Sequence, residues 1–412
     1  MSPRPSSSSH RRMLSRSPTV SSTSVKSPEG PGPRACTTER SNVKILAVDI
    51  GTGTQDILLF DSGQPIENSV KLVMPAPTAI AASRVRDAAA SGDPVIFTGR
   101  IQGGGPVHWA AEDYLQSGGV IYATDEAART FDDDLANVQT MGIHLVSADE
   151  AVQCSRAGSV EIVLRDLDLN AIRAALAAFG IAPGFDGIAL GCLDHGNAPP
   201  GYSDRLFRFE HLSRVIETGR GLHGFALLPE EIPGYLTRAA ALMASADGQA
   251  ERLLFTDTGP AAALGALQDE AVAGNQRVVV LNVGNMHTLA FDLAGTSIQS
   301  LFEHHSGELS GQQIADFTLR LSEGGLSHEE VYSSKGHGTL YVGDVRPDGE
   351  PFFAVTGPQR DKVRGRGLEA HFAAPHGDMM LSGCFGLLDA FAGRFQDCAD
   401  EIRNRLAPPV VG

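Results

Sequence analysis

The segment Lys44-Ile-Leu-Ala-Val-Asp-Ile-Gly-Thr-Gly-Thr-Gln55 runs from a short apolar stretch into a loop of glycine and threonine, and Asp56-Ile-Leu-Leu-Phe60 follows directly. Two apolar runs on either side of a Gly-rich turn predict a pair of strands joined by a tight loop. The segment Arg277-Val-Val-Val-Leu-Asn-Val-Gly-Asn-Met-His-Thr288 repeats the pattern in the second half of the chain, so that Gly284 aligns with Gly51 without a gap. A third strand and then a helix are predicted after each hairpin, and further strands of the first half are predicted at residues 95–97 and 119–122. The sequence therefore predicts an α/β protein whose two related domains face each other across a cleft.

The domain boundaries follow from this repeat and from a change in composition. Residues 43–200 are predicted to form the first domain, 201–250 a mostly helical linking region, and 251–412 the second domain. Residues 1–42 contain twelve Ser, six Pro and seven Lys or Arg but only two Glu. Such a segment cannot bury enough apolar area to offset the entropy of ordering it, so we predict a disordered tail. Whether it is a targeting peptide or a misassigned start is left open.

Composition excludes several classes of protein. The 412 residues carry a formal net charge of −16, which makes nucleic acid and anionic membrane surfaces poor partners. No apolar run approaches the roughly 18–20 residues of a spanning helix, so a membrane protein is not expected. The five cysteines are all at least 14 positions apart, without a CxxC pair. A disulfide framework or a four-thiolate metal site is therefore not expected. We expect a reducing, cytoplasmic setting instead.

The first loop predicts phosphate binding. Gly51 and Gly53 would let backbone N–H groups approach phosphate oxygens, with Thr52, Thr54 and Gln55 as further donors. Asp49, at the end of the preceding strand, is the predicted catalytic residue that holds a divalent cation. The alternative is an ordinary hairpin turn, for which glycine and threonine are common.

Two further loops extend this prediction. The second hairpin would supply opposing donors from Gly284, Asn285, His287 and Thr288. The turn Leu381-Ser-Gly-Cys-Phe-Gly386 lies between a predicted strand at residues 378–381 and a predicted helix, whose apolar residues continue at spacings of three and four to Leu406. The N-terminus of this helix could receive an adenosine or its ribose through Gly383, Cys384 and Gly386. A plain strand-to-helix turn is the alternative there.

Residues for an acceptor substrate are predicted at two strand ends. Asp194 and His195 follow a buried strand, and His195 could act as a general base tuned by Asp194. The alternative is a helix-capping Asp beside a solvent-facing His. His305, Ser306 and Gly307 are predicted to line the cleft at a helix N-terminus, and a purely structural role for them stays open. Metal binding by His304 or His305 with Glu308 is a further alternative.

The three Gly-rich elements, in this order, resemble the actin–Hsp70–sugar kinase superfamily. That resemblance implies two ribonuclease-H-like domains flanking a cleft, with ATP and Mg²⁺ bound between them. More narrowly, Asp194-His-Gly196, the segment from Asn282 to Thr288 and His304-His-Ser-Gly-Glu-Leu309 resemble a family of unknown function. Its members are often labelled as pyruvate formate-lyase activating enzymes. True enzymes of that type hold an iron–sulfur cluster with three closely spaced cysteines, and this sequence has no such spacing.

One position departs from the superfamily pattern. In the superfamily, the second phosphate motif usually opens with an acidic residue, but this sequence has Asn282 at that position. An amide side chain can orient a water molecule but cannot act as a base at neutral pH. Two hypotheses follow: an ATP-dependent phosphotransferase or ATPase, with Asn282 as a catalytic candidate, and a nucleotide-binding sensor with little turnover. A metal-dependent hydrolase is a distant third. The acceptor, a small molecule or a protein client, and the oligomeric state are not evident from the sequence.

Overall fold

The computed structural model describes residues 42–182, 184–343 and 349–407 of the protein. The predicted disordered tail therefore lies outside the described residues, except for Asn42. The described residues belong to one compact unit.

The first sheet contains the first predicted hairpin. Its strands are β1 (Lys44–Ile50), β2 (Thr54–Asp61), β3 (Val70–Pro75), β8 (Gly187–Cys192), β9 (Ala226–Leu227) and β10 (Arg252–Asp257). Their spatial order is β3-β2-β1-β8-β10-β9. β1 is antiparallel to β2 and parallel to β8, with Asp49 opposite Asp56 across the hairpin. β1 is buried on both faces, which explains its continuous apolar sequence.

The second sheet repeats this arrangement. Its strands are β11 (Arg277–Val283), β12 (His287–Ala294), β13 (Ser297–His305), β14 (Gly338–Tyr341), β15 (Phe352–Thr356) and β16 (His371–Phe372). Their order is β14-β13-β12-β11-β15-β16, again with an antiparallel hairpin and a parallel neighbour beside its first strand. β11 has the length of β1, β12 has the length of β2, and the loops between them are equally long. The gap-free repeat seen in the sequence is thus present in the strands themselves.

A third sheet lies between β3 and β8 in the chain. Its four parallel strands are β4 (Val95–Gly99), β5 (Ile121–Ala123), β6 (His144–Leu145) and β7 (Val160–Leu164). Apolar residues of this sheet and of the neighbouring helices form a hydrophobic core of their own. The sequence indicated strands near β4 and β5 but did not separate this sheet from the first one.

The helices pack against the sheets, and most of them connect strands. The α-helices of the described residues are α1 (Pro77–Ser91), α2 (Pro106–Gln116), α3 (Asp125–Ala128), α4 (Leu135–Thr140), α5 (Ala148–Arg156), α6 (Leu169–Ala178), α7 (Asp204–Glu217), α8 (Thr237–Ala246), α9 (Thr258–Ala266), α10 (Glu270–Ala273), α11 (Gly311–Ser322), α12 (His328–Ser333), α13 (Ser382–Arg394) and α14 (Ala399–Leu406). α1 has typical end signals: Pro77 in its first turn and Gly92 at its C-terminus with a φ of 76°. None of the described helices has the length and apolar character needed to cross a bilayer.

Helices α9 and α13 pack between the two large sheets, because their apolar residues share one core with the facing sides of β1 and β11. Their backbones come very close. A Cβ added at Gly386 of α13 would lie 1.8 Å from the carbonyl oxygen of Ala261 in α9. Glycine is required at this crossing because any side chain would push the helices apart.

Two predictions for the C-terminal region are wrong. Residues 378–381 form no strand, and the predicted turn at 382–386 is the first turn of α13. The single helix predicted to continue to Leu406 is instead two helices, α13 and α14, with a break at Phe395–Cys398. The apolar spacing continues through the break because Cys398, Ile402 and Leu406 pack on the same core as α13.

Candidate functional site

The loops of the two hairpins have the same turn. The Gly51 N–H donates to the Thr54 carbonyl at 2.9 Å, and the Gly284 N–H donates to the His287 carbonyl at 2.9 Å. A Cβ at Gly284 would lie 2.7 Å from that carbonyl oxygen. Glycine in the second loop is therefore needed for the turn to close.

The two loops approach each other across a cleft. A Cβ at Gly53 would lie 2.2 Å from Nδ2 of Asn285, and the Gln359 side-chain amide donates to Oδ1 of Asn285 at 3.2 Å. The predicted residues that line the cleft are Asp49, Gly51, Thr52, Thr54, Asn282, Gly284, Asn285, His287 and Gly383. The cleft is further lined by Asp56, Arg238, Thr258, Thr356 and Ser382, which sequence reasoning missed. Residues far apart in sequence thus form one site.

The N-terminus of α13 forms the third wall of the cleft. A Cβ at Gly383 would lie 1.8 Å from Oδ2 of Asp49, so the carboxylate occupies the space that a side chain would take. The Thr258 hydroxyl donates to Oδ1 of Asp49 at 2.6 Å. These two contacts hold the Asp49 carboxylate in one position.

Asp49 and Asp56 form a pair of carboxylates in the first hairpin. Burial raises the pKa of Asp49 to about 7, although the Thr258 hydrogen bond opposes the shift. Burial, together with the charge of Asp49, raises the pKa of Asp56 to about 8. Oδ1 of Asp56 is buried and has no hydrogen-bond partner among the described residues. The pair is therefore short of positive charge.

Several predicted residues lie outside the cleft. Thr288 is buried and shares a 2.8 Å hydrogen bond with Ser306. Cys384 is buried with its thiol 3.1 Å from the Asp56 carbonyl, and Gly386 packs on α9. Gln55 donates to the Pro75 carbonyl at 3.0 Å. These four residues are therefore held by neighbouring elements and are not part of the cleft lining.

The predicted acceptor residues are placed differently from one another. Asp194 is buried, and its two oxygens accept the N–H groups of Gly196 at 2.8 Å and Ala239 at 2.9 Å. It therefore fixes the start of α8. The predicted helix N-terminus at His305–Gly307 is wrong, because α11 begins only at Gly311, after the capping residue Ser310.

Four histidines meet beside the second hairpin loop. Nitrogen atoms of His195, His287, His305 and His337 lie within 4.8 Å of one another. His195 follows β8, His287 begins β12, His305 lies opposite it at the end of β13, and His337 precedes β14. We call these four residues the histidine cluster. Burial lowers the pKa of His195, His305 and His337, so these rings are held neutral.

A buried ion-pair network lies behind the histidine cluster. The Nδ1 atom of His287 is 3.2 Å from Oε1 of Glu303, which is fully buried. Arg208, itself fully buried, pairs with Glu303 at 3.2 Å and also with Asp257. Burial alone would raise the pKa of Glu303, but the charge of Arg208, together with the neighbouring His337 and His287, holds that pKa well below its usual range. Sequence reasoning missed this network, because Arg208 sits inside an ordinary-looking helical segment.

Three solved structures are similar to the chain at low identity. A ROK hexokinase from Thermus thermophilus is 14% identical, with 62% of this chain and 48% of that chain covered and a TM-score of 0.23. An exopolyphosphatase-like protein is 10% identical, with 77% and 66% covered and a TM-score of 0.24. The ethanolamine utilization protein EutJ from Carboxydothermus hydrogenoformans is 11% identical, with 83% and 88% covered and a TM-score of 0.28. The chain spans about half the length of the hexokinase.

No curated protein sequence matches the chain. The model of one protein family, described as "Putative pyruvate format-lyase activating enzyme (DUF1786)", matches residues 102–362. This match covers more than half of the 412 residues and confirms the family predicted from the sequence. The chain belongs to this family.

Proposed function

We propose that the cleft binds the phosphates of ATP and that the protein is an ATP-dependent phosphotransferase or ATPase whose acceptor is unknown. The observation that carries the proposal is the pair of hairpins with the same glycine turn, which bring their loops together at Gly53 and Asn285. Backbone N–H groups in such turns are suited to phosphate oxygens. The proposal includes two ribonuclease-H-like domains, built on the two repeated sheets, that flank the cleft.

Mg²⁺ fits the pair of carboxylates in the first hairpin. Asp49 and Asp56 offer hard oxygen ligands, which Mg²⁺ prefers. Burial raises the pKa of both carboxyl groups, and Oδ1 of Asp56 has no hydrogen-bond partner among the described residues, so a cation bound here would supply a counter-charge and a ligand for that oxygen. When bound, the ion would neutralise phosphate charge.

The residues of the chain would act mainly by positioning. In phosphoryl transfer, placement and charge neutralisation contribute more than covalent chemistry. Thr52 and Thr54 can donate hydroxyl hydrogen bonds from one wall, and the Arg238 guanidinium adds positive charge to the cleft. Arg238 is fixed by Asp166 at 2.7 Å and by the Leu193 carbonyl at 2.6 Å. An acceptor would then meet the nucleotide in a preorganised cleft.

A second candidate function is a nucleotide-binding sensor with little turnover. Asn282 favours it, because this amide occupies the place in β11 that Asp49 occupies in β1. Asn282 lines the cleft but cannot take up a proton as a base. Nucleotide would close the cleft without being consumed.

The four cysteines of the described residues are Cys154, Cys192, Cys384 and Cys398. None belongs to a group of ligand side chains close enough to share one metal ion. The family description therefore adds no residue roles to the proposal.

Calorimetric titration of the full chain with ATP and Mg²⁺ tests the proposal. We expect micromolar binding that is lost in Asp49→Asn and retained in Asp61→Asn, a matched change at the end of β2 that lies away from the cleft. ADP formation, measured in the same samples with and without candidate small-molecule acceptors, separates the candidates. Turnover, alone or with an acceptor, supports the transferase or ATPase, and binding without turnover supports the sensor. Absence of binding in the wild-type protein would refute both.

A further inference from the structure

We propose that the histidine cluster binds one divalent transition-metal ion, with Zn²⁺ the ion best matched to it. This site is separate from the Mg²⁺ site at Asp49, because imidazole nitrogens suit zinc and its neighbours while Mg²⁺ prefers oxygen. The inference does not rest on the proposed function.

The cluster has nearly the dimensions of a four-nitrogen site. The ring centroids of His305 and His337 are 4.7 Å apart, and His287 lies 5.0 Å from each of His195, His305 and His337. Zinc–nitrogen bonds of roughly 2.0–2.1 Å in a tetrahedron place the nitrogens about 3.4 Å apart. The ligand nitrogens of the cluster lie within 4.8 Å of one another, so small movements of the rings would bring them to this geometry.

Hydrogen-bond partners outside the histidine cluster orient two of its rings and leave one nitrogen of each ring free. Nδ1 of His287 faces Glu303 at 3.2 Å, and Nδ1 of His305 faces the Lys335 carbonyl at 3.1 Å. Metal-binding histidines usually donate their second N–H to a carboxylate or to a backbone carbonyl in this way. Lys335 holds its carbonyl there with a φ of 72°, which is unusual for a residue other than glycine. In both rings, Nε2 is left to bind a metal.

His337 supplies the observation that points most directly to a ligand. Its side chain is fully buried, and neither ring nitrogen has a hydrogen-bond partner among the described residues. Buried polar groups are almost always paired, so an unpartnered imidazole facing three other imidazoles calls for a ligand. Its backbone is fixed by a 2.9 Å hydrogen bond from its N–H to the Glu303 carbonyl, on the strand that carries His305.

The metal would lie against the cleft. His287 belongs to the histidine cluster and also lines the cleft through the second hairpin loop. Three of the four rings are only half-buried, which leaves a path for the metal and a side for a further ligand.

Metal analysis of the untagged full chain tests the inference. We expect about one zinc ion per chain after purification or after titration of chelator-treated protein, with cobalt absorption typical of nitrogen ligands. His337→Ala and His305→Ala should each weaken zinc binding by at least roughly 10–100-fold. Removing only a hydrogen-bond partner of a metal-binding residue already weakens binding by that much. The matched control is His223→Ala, which removes a half-buried histidine paired with Asp389 at 2.8 Å outside the cluster.

Equal zinc affinity in the wild type and both variants would overturn the inference, as would wild-type binding that is only millimolar. If His337→Ala does not fold, the half-buried His305→Ala decides. An ATP titration of zinc-free wild-type protein keeps the two proposals apart. ATP binding without zinc binding would overturn only the metal site, and zinc binding without ATP binding would overturn only the proposed function.

Discussion

Replacing Gly383 with Ala should destabilise the protein, although the same change inside a helix normally stabilises it. Ala is favoured over Gly in a helix by roughly 0.5–1 kcal/mol. At Gly383 the new Cβ would lie 1.8 Å from Oδ2 of Asp49. Cβ contacts shorter than 3.0 Å are essentially never observed, so the carboxylate or α13 would have to move away until at least that separation is reached.

That movement has a cost that can be set against the helix gain. It would break the 2.6 Å hydrogen bond from Thr258 to Asp49. A hydrogen bond to a charged group contributes roughly 1.5–3 kcal/mol, and overpacking typically costs roughly 1–3 kcal/mol. The two costs together come to roughly 2.5–6 kcal/mol, so after the helix gain is subtracted we expect a net loss of about 1.5–5.5 kcal/mol in the free energy of unfolding. Because Asp49 is the proposed Mg²⁺ ligand, we also expect at least about tenfold weaker binding of ATP with Mg²⁺.

Urea unfolding and calorimetric titration of Gly383→Ala measure both effects. Gly393→Ala in the same helix is the control, since its Cβ would meet only the ring of His223, at 3.2 Å. We expect this control to be near wild type in stability and in nucleotide binding. If Gly383→Ala is as stable as Gly393→Ala and binds nucleotide equally well, the placement of Asp49 against α13 is wrong.

Three further predictions concern the support of the site. Gly386→Ala should lower the thermal midpoint strongly, because its Cβ would meet the Ala261 carbonyl at 1.8 Å; an unchanged midpoint would contradict the close crossing of α9 and α13. Asp194→Asn should cost roughly 1–3 kcal/mol in urea unfolding, because one of two N–H donors would face an amide NH₂; lost turnover at full stability would instead favour a catalytic role. Burial lowers the pKa of His211 from 6.5 to about 4, so its contribution to stability is complete above pH 6.5 and is lost as the pH falls through 4. His211→Gln should therefore flatten that pH dependence by up to about 1.4 kcal/mol per pH unit, and an unchanged slope would count against a neutral buried ring.

The hairpins could be predicted because their signals are local. An apolar run, a glycine turn and a second apolar run fix both strands, and the gap-free alignment of the two segments holds for the strand bounds. The turn glycines Gly51 and Gly284 could be identified for the same reason. The order of the parallel strands β8, β10, β15 and β16 depends on long crossover connections, which leave no local pattern in the sequence.

The histidine cluster could be predicted only in part. His195, His287 and His305 stood out beside strand ends, but nothing in the sequence brings them together. His337 was not singled out, and its only signal is the glycine on each side of it, Gly336 and Gly338. Both glycines are needed, since a Cβ at Gly336 would lie 2.4 Å from the ring of His304 and one at Gly338 would lie 2.3 Å from the ring of His328, two histidines outside the cluster. The C-terminal error arose because apolar spacing records which face is buried and does not record where the backbone turns.

The equal length of the two hairpins has an evolutionary consequence. If the two large sheets descend from one ancestral unit, neither hairpin has gained or lost a residue relative to the other between the first and last residue of its strands. Between the third and fourth strands of the first sheet, by contrast, the chain has accepted a whole additional sheet, β4–β7, with its own core. On the same assumption, the two hairpins have diverged by substitutions such as Asp49 against Asn282 but not in length. New segments in relatives should therefore appear between strands three and four, where they leave the spacing of the two loops unchanged.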